Sequence, residues 1–376
     1  GVPEAFAAAD YDGDGDLDLF VGCFEHPQRA AVGQANYLLR NKGNGRFEDV
    51  SEQARLYVTE TVKDASTGRD AEQVGHYCTR GASWADYNND RHPDLYVANY
   101  RLHPNRLWTS KGDGTFADHA HALGVRGRPG PDRYAGAYGH SIACAWGDID
   151  NDGDLDLVTT NIAMGRFLLF ADTTSLYVNQ GADKRWRFEN GFAKSGIRFQ
   201  EMSTGVSLCD YDNDGDVDLY VSAIYKERPT SLYQNAGECR FEQVTWRANA
   251  LAFGTWGHAW FDKDNDGDMD LVVAGTHDVR LFENLGSENQ WLRIRLLGKK
   301  SNRFAVGARI YVEAGGKSLL REVRCDLGNG GQPSSVVHFG LGAEARPAKV
   351  TVLWPAGGQT TVEGVRPNQL LTIEEE

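Results

Sequence analysis

One acidic nine-residue loop recurs five times along the 376 residues, and any fold for this chain has to accommodate it. The candidate ligands are Asp10, Asp12, Asp14, Asp16 and Asp18 in the first loop, and Asp86, Asn88, Asp90, His92 and Asp94 in the second. The third has Asp148, Asp150, Asp152, Asp154 and Asp156, the fourth Asp210, Asp212, Asp214, Asp216 and Asp218, the fifth Asp262, Asp264, Asp266, Asp268 and Asp270. Carboxylates this close repel one another, so a folded chain that holds them together calls for a cation. Oxygen donors at positions 1, 3, 5 and 9, with a backbone carbonyl at 7, suit Ca²⁺. Glycine at position 6 of four loops permits the sharp turn that points the oxygens inward.

An EF-hand also begins Asp-x-Asp-x-Asp-Gly, but it needs a bidentate Glu at position 12 and a helix on each side. Position 12 here is Val21, Val97, Thr159, Val221 and Val273. The ninth residue leads into runs such as Leu95-Tyr-Val-Ala and Leu219-Tyr-Val-Ser, which have the pattern of half-buried strands. The loop therefore joins two strands.

Loop starts are 76, 62, 62 and 52 residues apart, within or near blade length for a propeller. Each unit has an approach strand (Ala82-Ser-Trp84-Ala, Cys144-Ala-Trp146-Gly), the loop and a second strand. In four of the units a third strand follows (Asn36–Asn41, Ser175–Asn179, Ser231–Asn235), then a Gly-rich turn and a short fourth. Four antiparallel strands repeated radially form a β-propeller. The expected fold class is all-β: a propeller over 1–288 with five visible blades, then a small β-sandwich-like domain over 289–376. That tail has no acidic loop and its own alternating strands between Trp291 and Ile373, with Gly286–Gln290 as the junction.

The net charge of −14 sits largely in the loops, so acidity here reports cation binding first. No basic patch exists to displace counterions from phosphates, and nucleic acid is not an expected partner. No run of eighteen apolar residues is present, so no helical membrane span is expected. Six cysteines leave fifteen pairings open, and none lies in a Cys-x-x-Cys pair. Extracellular calcium would keep even weak loops filled, which points to an extracellular or periplasmic protein. The chain opens directly in a repeat, as expected of a mature secreted product.

The loops followed by Asp-Leu-Tyr-Val, and the turn Asn41-Lys-Gly-Asn-Gly-Arg-Phe47, resemble FG-GAP/VCBS repeats of calcium propellers. The tail resembles the ASPIC/UnbV domain of cartilage-acidic-protein-like secreted proteins, through Ser301-Asn-Arg-Phe-Ala-Val-Gly-Ala-Arg309, His338-Phe-Gly-Leu-Gly342 and Val352-Leu-Trp-Pro355. The resemblance implies a calcium-binding propeller, of seven blades in relatives of this type, and a binding role. UnbV-type relatives look linked to specialised metabolism, which implies the alternative of an enzyme. A structural subunit of an extracellular or envelope assembly is the third reading.

The second loop departs from the pattern, with Asn88 at position 3, Arg91 at position 6 and Pro93 at position 8. A side chain forced to positive φ costs about 1 kcal/mol, so four strong calcium sites and one weak or vacant one are expected. The turns entering the approach strands carry His76, Arg80, His140, Glu201 and His258. If these converge at the channel mouth, they are the candidates for a transition metal or for acid–base catalysis. Tail residues Arg303 and Arg309 are candidates to bind an anion or a sugar, or to pair with the acidic propeller. The leading expectation is a non-catalytic module for a protein or glycan ligand.

Chelating calcium should lower the thermal midpoint sharply. A site at one hundred times its Kd adds about 2.7 kcal/mol to the folded state, and a midpoint indifferent to chelator would overturn the calcium reading.

Overall fold

In a computed structural model, the described residues are 2–376 except 27–28, 58, 64–69, 75, 135, 170–171, 327, 329–331 and 344–347. Five antiparallel sheets follow one another. The first comprises Pro3–Ala9, Asp18–Cys23, Tyr37–Asn41 and Phe47–Asp49. The second comprises Thr79–Ala85, Asp94–Asn99, Arg106–Ser110 and Phe116–Asp118, the third Ser141–Gly147, Asp156–Asn161, Ser175–Asn179 and Phe188–Asn190. The fourth has Ser203–Cys209, Asp218–Ala223, Ser231–Asn235 and Phe241–Gln243; the fifth has only three strands, Thr255–Phe261, Asp270–Gly275 and Val279–Phe282. Each first strand packs beside the first strand of the next sheet, which is the radial arrangement of propeller blades.

Cores lie between blades rather than within them. One apolar cluster joins blades 1 and 2, another blades 2 and 3, another 3 and 4, and a smaller one 4 and 5. Tyrosine at loop position 2 and tryptophan on the next approach strand make two of these seams. Trp146 stacks on Tyr87 at 6.4 Å and meets the edge of Tyr96 at 6.1 Å. Trp260 repeats this with Tyr211 and Tyr220, at 6.4 and 6.1 Å. Rings of this size bury much apolar area and gain further from offset and edge-on contact.

An asparagine ending the third strand crosses two of the same seams. The Asn179 amide donates to Leu155 O in its own blade (3.2 Å) and to Tyr87 O in blade 2 (2.9 Å). Asn235 donates to Val217 O (3.1 Å) and Ile149 O (2.9 Å), and Asn284, in the unit that lacks a fourth strand, donates to Met269 O and Tyr211 O. Each side-chain oxygen accepts a backbone N–H two residues on, at 3.0–3.2 Å. One side chain thus satisfies buried backbone groups from two blades.

The tail forms two further sheets. Gln290–Leu297 lies between Val336–Gly342 and, in parallel, Gln369–Glu374. Arg309–Ala314 lies between Lys317–Glu322 and Ala348–Leu353, with Gln359–Val365 at the edge. Their core cluster draws only on residues 292–373 and includes Phe339, Ile310 and Trp354.

This tail docks on the acidic-loop side of the propeller and sends a strap inward. The Cys325 thiol donates to Ala8 O at 2.9 Å, and an Asp326 oxygen accepts from Trp84 N at 3.4 Å. Gly328 lies against Cys144, midway along the third blade's first strand, where any Cβ would collide with the carbonyl. The first strands line the propeller axis, so Cys325, Asp326 and Gly328 enter the channel.

All six cysteines are unpaired, and five are buried, so none of the fifteen possible pairings forms. No helix among the described residues is long and apolar enough to cross a membrane.

Replacing Asn235 by Ala should destabilise the propeller by about 1–3 kcal/mol, because two buried carbonyls from different blades lose their donor. Equilibrium denaturation in saturating calcium measures it; a loss below a few tenths would show that the seam does not depend on this residue.

Candidate metal loops and the channel end

The loop backbone takes the left-handed conformation at positions 4 and 6. Position 4 is Gly13, Asn89, Asn151, Asn213 and Asn265, with φ between 57° and 74°. Asparagine tolerates this region better than most side chains. Position 6 is Gly15, Gly153, Gly215 and Gly267 at 90–98°, and Arg91 at 69° in the second loop. The two reversals turn the position-6 N–H back onto the first Asp, at 3.0 Å in Gly15–Asp10 and 2.9 Å in Arg91–Asp86.

The ninth Asp is buried in every loop. It accepts the N–H of the residue ending the third strand in blades 1–4, or of Asn284 in the fifth unit: Asn41 and Ser110 at 2.7 and 2.8 Å, Asn179 and Asn235 at 2.8 Å, and Asn284 at 2.9 Å. In four loops its other oxygen takes the N–H of loop residue 2. This residue therefore fastens loop and blade as well as facing the cluster.

Oxygens of positions 1, 3 and 9 gather within 4.8 Å of one another as Asp10, Asp12 and Asp18, as Asp210, Asp212 and Asp218, and as Asp262, Asp264 and Asp270. In the third loop Asp148, Asp150 and Asp152 gather. Several of these oxygens are buried without a hydrogen-bond partner: Oδ1 of Asp10, Asp148, Asp150 and Asp212. Burial, aided by neighbouring carboxylates, pushes Asp10 up to about 6 and Asp148 to about 7, and burial pushes Asp18 and Asp210 to about 7. Hard, anionic and unsatisfied oxygens converging at this spacing fit a divalent cation such as Ca²⁺, which would reverse those shifts.

Position-7 side chains do something else. Asn89 donates to Asp154 at 2.7 Å, Asn151 to Asp216 at 2.5 Å and Asn213 to Asp268 at 2.9 Å. Each link runs from position 4 of one loop to position 7 of the next, so these carboxylates, included among the candidate ligands, are turned towards the neighbouring blade. The seam between blades 1 and 2 carries neither this link nor the third-strand asparagine, since Gly13 and Ser110 occupy those places. A cleft of about 620 Å³ opens there, lined by Asp10, Asp12, His92, Arg309, Glu322 and Trp354.

Among the described residues the second loop forms no three-ligand group. The Asn88 amide donates to Asp90 at 2.8 Å, which satisfies the pair without a metal. Arg309, reaching from the tail, approaches the Asp86 carboxylate at 3.6 Å and Glu322 at 3.4 Å, and donates to Asn89 Oδ1 and Asp86 O. A guanidinium thus lies beside Asp86, while Asp94 Oδ2 of the same loop is buried without a hydrogen-bond partner. Arg293 pairs with Asp262 at 2.6 Å, Lys317 with Asp216 at 3.2 Å, and Arg321 donates to Gly215 O. Of the two tail arginines singled out by sequence, Arg309 meets the acidic propeller. Arg293 and Arg321 were not anticipated, because nothing in the sequence marks which tail cations face the loops.

At the opposite end of the first strands the histidines have different surroundings. His258 is held on both ring nitrogens, by Ser222 Oγ at 2.6 Å and Ser207 Oγ at 2.7 Å, between blades 4 and 5. His140 is packed 4.6 Å from the Tyr100 ring, and His76 is exposed. Glu201 pairs with Arg228 and accepts from Gly165 N at 2.8 Å. Arg80 pairs with Glu4 at 2.6 Å and lies 4.6 Å from the Phe24 ring and 6.0 Å from Trp256 of blade 5. No group of three metal-ligating side chains among the described residues includes any of these. Burial pushes both His140 and His258 down, to about 4 and about 3, so each is neutral at pH 7. Each candidate except His76 is already engaged in its own local contact.

A family model for the FG-GAP-like repeat matches residues 86–159 and 210–273, and one for ASPIC and UnbV matches 298–376. The chain carries FG-GAP-like repeats followed by an ASPIC and UnbV domain. It is 26% identical to cartilage acidic protein 1 of Xenopus tropicalis over 369 residues, covering 90% of this chain and 51% of that protein. Against the Homo sapiens protein of the same name it is 26% identical over 359 residues, covering 87% and 51%. It thus spans about half the length of these relatives. Among solved structures, a mutant of Aleuria aurantia lectin in complex with alpha-methyl-L-fucoside covers 96% of this chain and 94% of its own, at 8% identity and a TM-score of 0.39.

Metal analysis after calcium loading and desalting should give four ions per chain. Arg309→Gln should leave those four in place while loosening the tail. A fifth ion of equal affinity in the unsubstituted chain would show that the guanidinium does not replace calcium at Asp86–Asp94.

Proposed function

We propose that this FG-GAP repeat chain is a calcium-stiffened, non-catalytic binding module that works outside the cell or in the periplasm. The calcium reading is supported by the unpartnered loop oxygens and by the repeat family. The tail domain covers the loop side and is tied to it by Arg293, Arg309, Arg321 and Lys317. The opposite side is left for a ligand.

The observation that carries the binding reading is on that opposite side. Phe199, Tyr225, Phe253 and Trp256 all belong to the connections and strand starts of blades 4 and 5 at the end away from the loops, and all are 36–51% exposed. Arg80 lies over Trp256 at 6.0 Å. Exposed aromatic side chains with a nearby arginine are the composition of energetic centres in protein interfaces, and their faces also suit the apolar faces of sugars. Of the groups that were candidates for catalysis there, His258 and Glu201 have hydrogen-bonding or ionic partners instead, and His140 packs on the Tyr100 ring with its Nδ1 unpartnered, which favours the module over the enzyme.

Binding of the full chain to a glycan array and to immobilised extracellular proteins, with calcium and with chelator, tests the reading. The expected signal depends on calcium and falls about tenfold or more in Tyr225→Ala or Trp256→Ala, as for a central aromatic contact. A ligand whose binding ignores both substitutions, in variants that still melt as the parent does, would remove this face from the proposal.

A further inference from the structure

The Gly-rich turn before the fourth strand reaches over the acidic loop of the preceding blade. Two residues before the strand's phenylalanine, this turn has Gly114 in blade 2, with an ideal Cβ 4.0 Å from Tyr11 of the first loop. Blade 3 has Trp186 there, packed against the cluster that contains Tyr87 of the second loop. Blade 4 has Cys239, in a turn where Glu238 and Cys239 both adopt positive φ, at 52° and 55°. The Cys239 sulfur lies within 4.8 Å of carboxylate oxygens of Asp150 and Asp156 in the third loop.

An acidic loop and one cysteine would not by themselves make a site. The independent observation is Asp148. It is wholly buried, and its Oδ1 has no hydrogen-bond partner, as is also true of Asp150 Oδ1. Asp148, Asp150 and Asp152 form the overlapping group, so the unsatisfied oxygens and the thiol share Asp150. A shallow cleft lined by Asp150, Asp152, Gln180, Lys194 and Cys239 gives solvent access. Among the described residues, no other acidic loop has a sulfur in its ligand group.

We propose that the third loop is a mixed oxygen–sulfur site, with Cys239 as a ligand supplied by the next blade, and that it prefers a thiophilic divalent cation such as Zn²⁺ or Cd²⁺ over Ca²⁺. This rests on reading the loops as cation sites. Calcium is a hard ion that takes oxygen ligands, whereas thiolate selects softer or borderline metals. Binding releases the thiol proton to solvent and forms the metal–sulfur bond, with no change in oxidation state. The ion would bridge blades 3 and 4 directly, because Asp150 and Asp156 come from one and Cys239 from the other.

The test is Cd²⁺ titration of the calcium-loaded full chain. One equivalent should produce an ultraviolet thiolate-to-cadmium charge-transfer band and displace one of four calcium ions. Cys239→Ser should lose the band and keep four calcium ions, and Zn²⁺ affinity at that site should fall at least about tenfold, the lower end of what loss of even an outer-shell partner costs. Cys239→Gly restores the residue that blades 1 and 2 carry and serves as the folding control if the serine variant is unstable. No band at one equivalent, or a band that survives both substitutions, overturns the proposal while leaving calcium binding intact. Failure of calcium itself to bind the Cys239→Ser chain would instead count against the loop reading.

Discussion

The arrangement depends on burying one carboxylate per blade. The ninth Asp of each loop is almost wholly withdrawn from water and holds the chain on both sides, taking the N–H of residue 2 in four loops and the N–H of a residue beyond the second strand in all five. A lone buried carboxylate is costly, and here two or more others stand within ligand distance of it in three of the loops. The loop can therefore persist as an ionised cluster only with a compensating charge. In the first, third and fourth loops unpartnered oxygens suit a divalent cation, and in the fifth three carboxylates gather beside Arg293. In the second, a guanidinium from the tail lies against Asp86, and an amide replaces one carboxylate.

That difference gives the tail a role beyond decoration. It has its own apolar core, yet its cations are placed over the loops, and Cys325, Asp326 and Gly328 enter the axial channel. Blades 1 and 2 are the pair whose seam lacks both asparagine links, and they are also where Arg309, Glu322 and Trp354 approach. The tail thus reaches the ring where both asparagine links are missing. A propeller whose fifth blade has three strands gains from a second domain that touches loops from several blades at once.

Two ends of one barrel-like stack then serve different ends of the chemistry. The loop side is polar, ionic and covered by the tail. The far side carries exposed aromatic rings and an arginine, while His258 is absorbed between blades 4 and 5. His258 illustrates how a motif that looks catalytic becomes structural: two serines on neighbouring strands saturate both ring nitrogens, and burial keeps the imidazole neutral.

Much of this was legible in the sequence. Carboxylate spacing, glycine at position 6 and two-residue alternation named the loops, the strands and the blades, because each depends on residues close in the chain. The odd second loop was legible for the same reason: Arg91 does sit at positive φ. What sequence could not place were contacts between elements 50 to 240 residues apart. The asparagines ending the third strands were visible as a repeated letter, but their bonds to the preceding blade appear only when the blades are set side by side. Arg309 at Asp86, the strap against Cys144 and Cys239 over Asp150 depend likewise on how blades and tail are packed. Among the described residues the channel-mouth candidates form no three-ligand group. A position near a strand start is legible in sequence, but the side-chain direction, set by packing against the adjacent blade, decides whether a histidine faces the axis or, as His258 does, the seam.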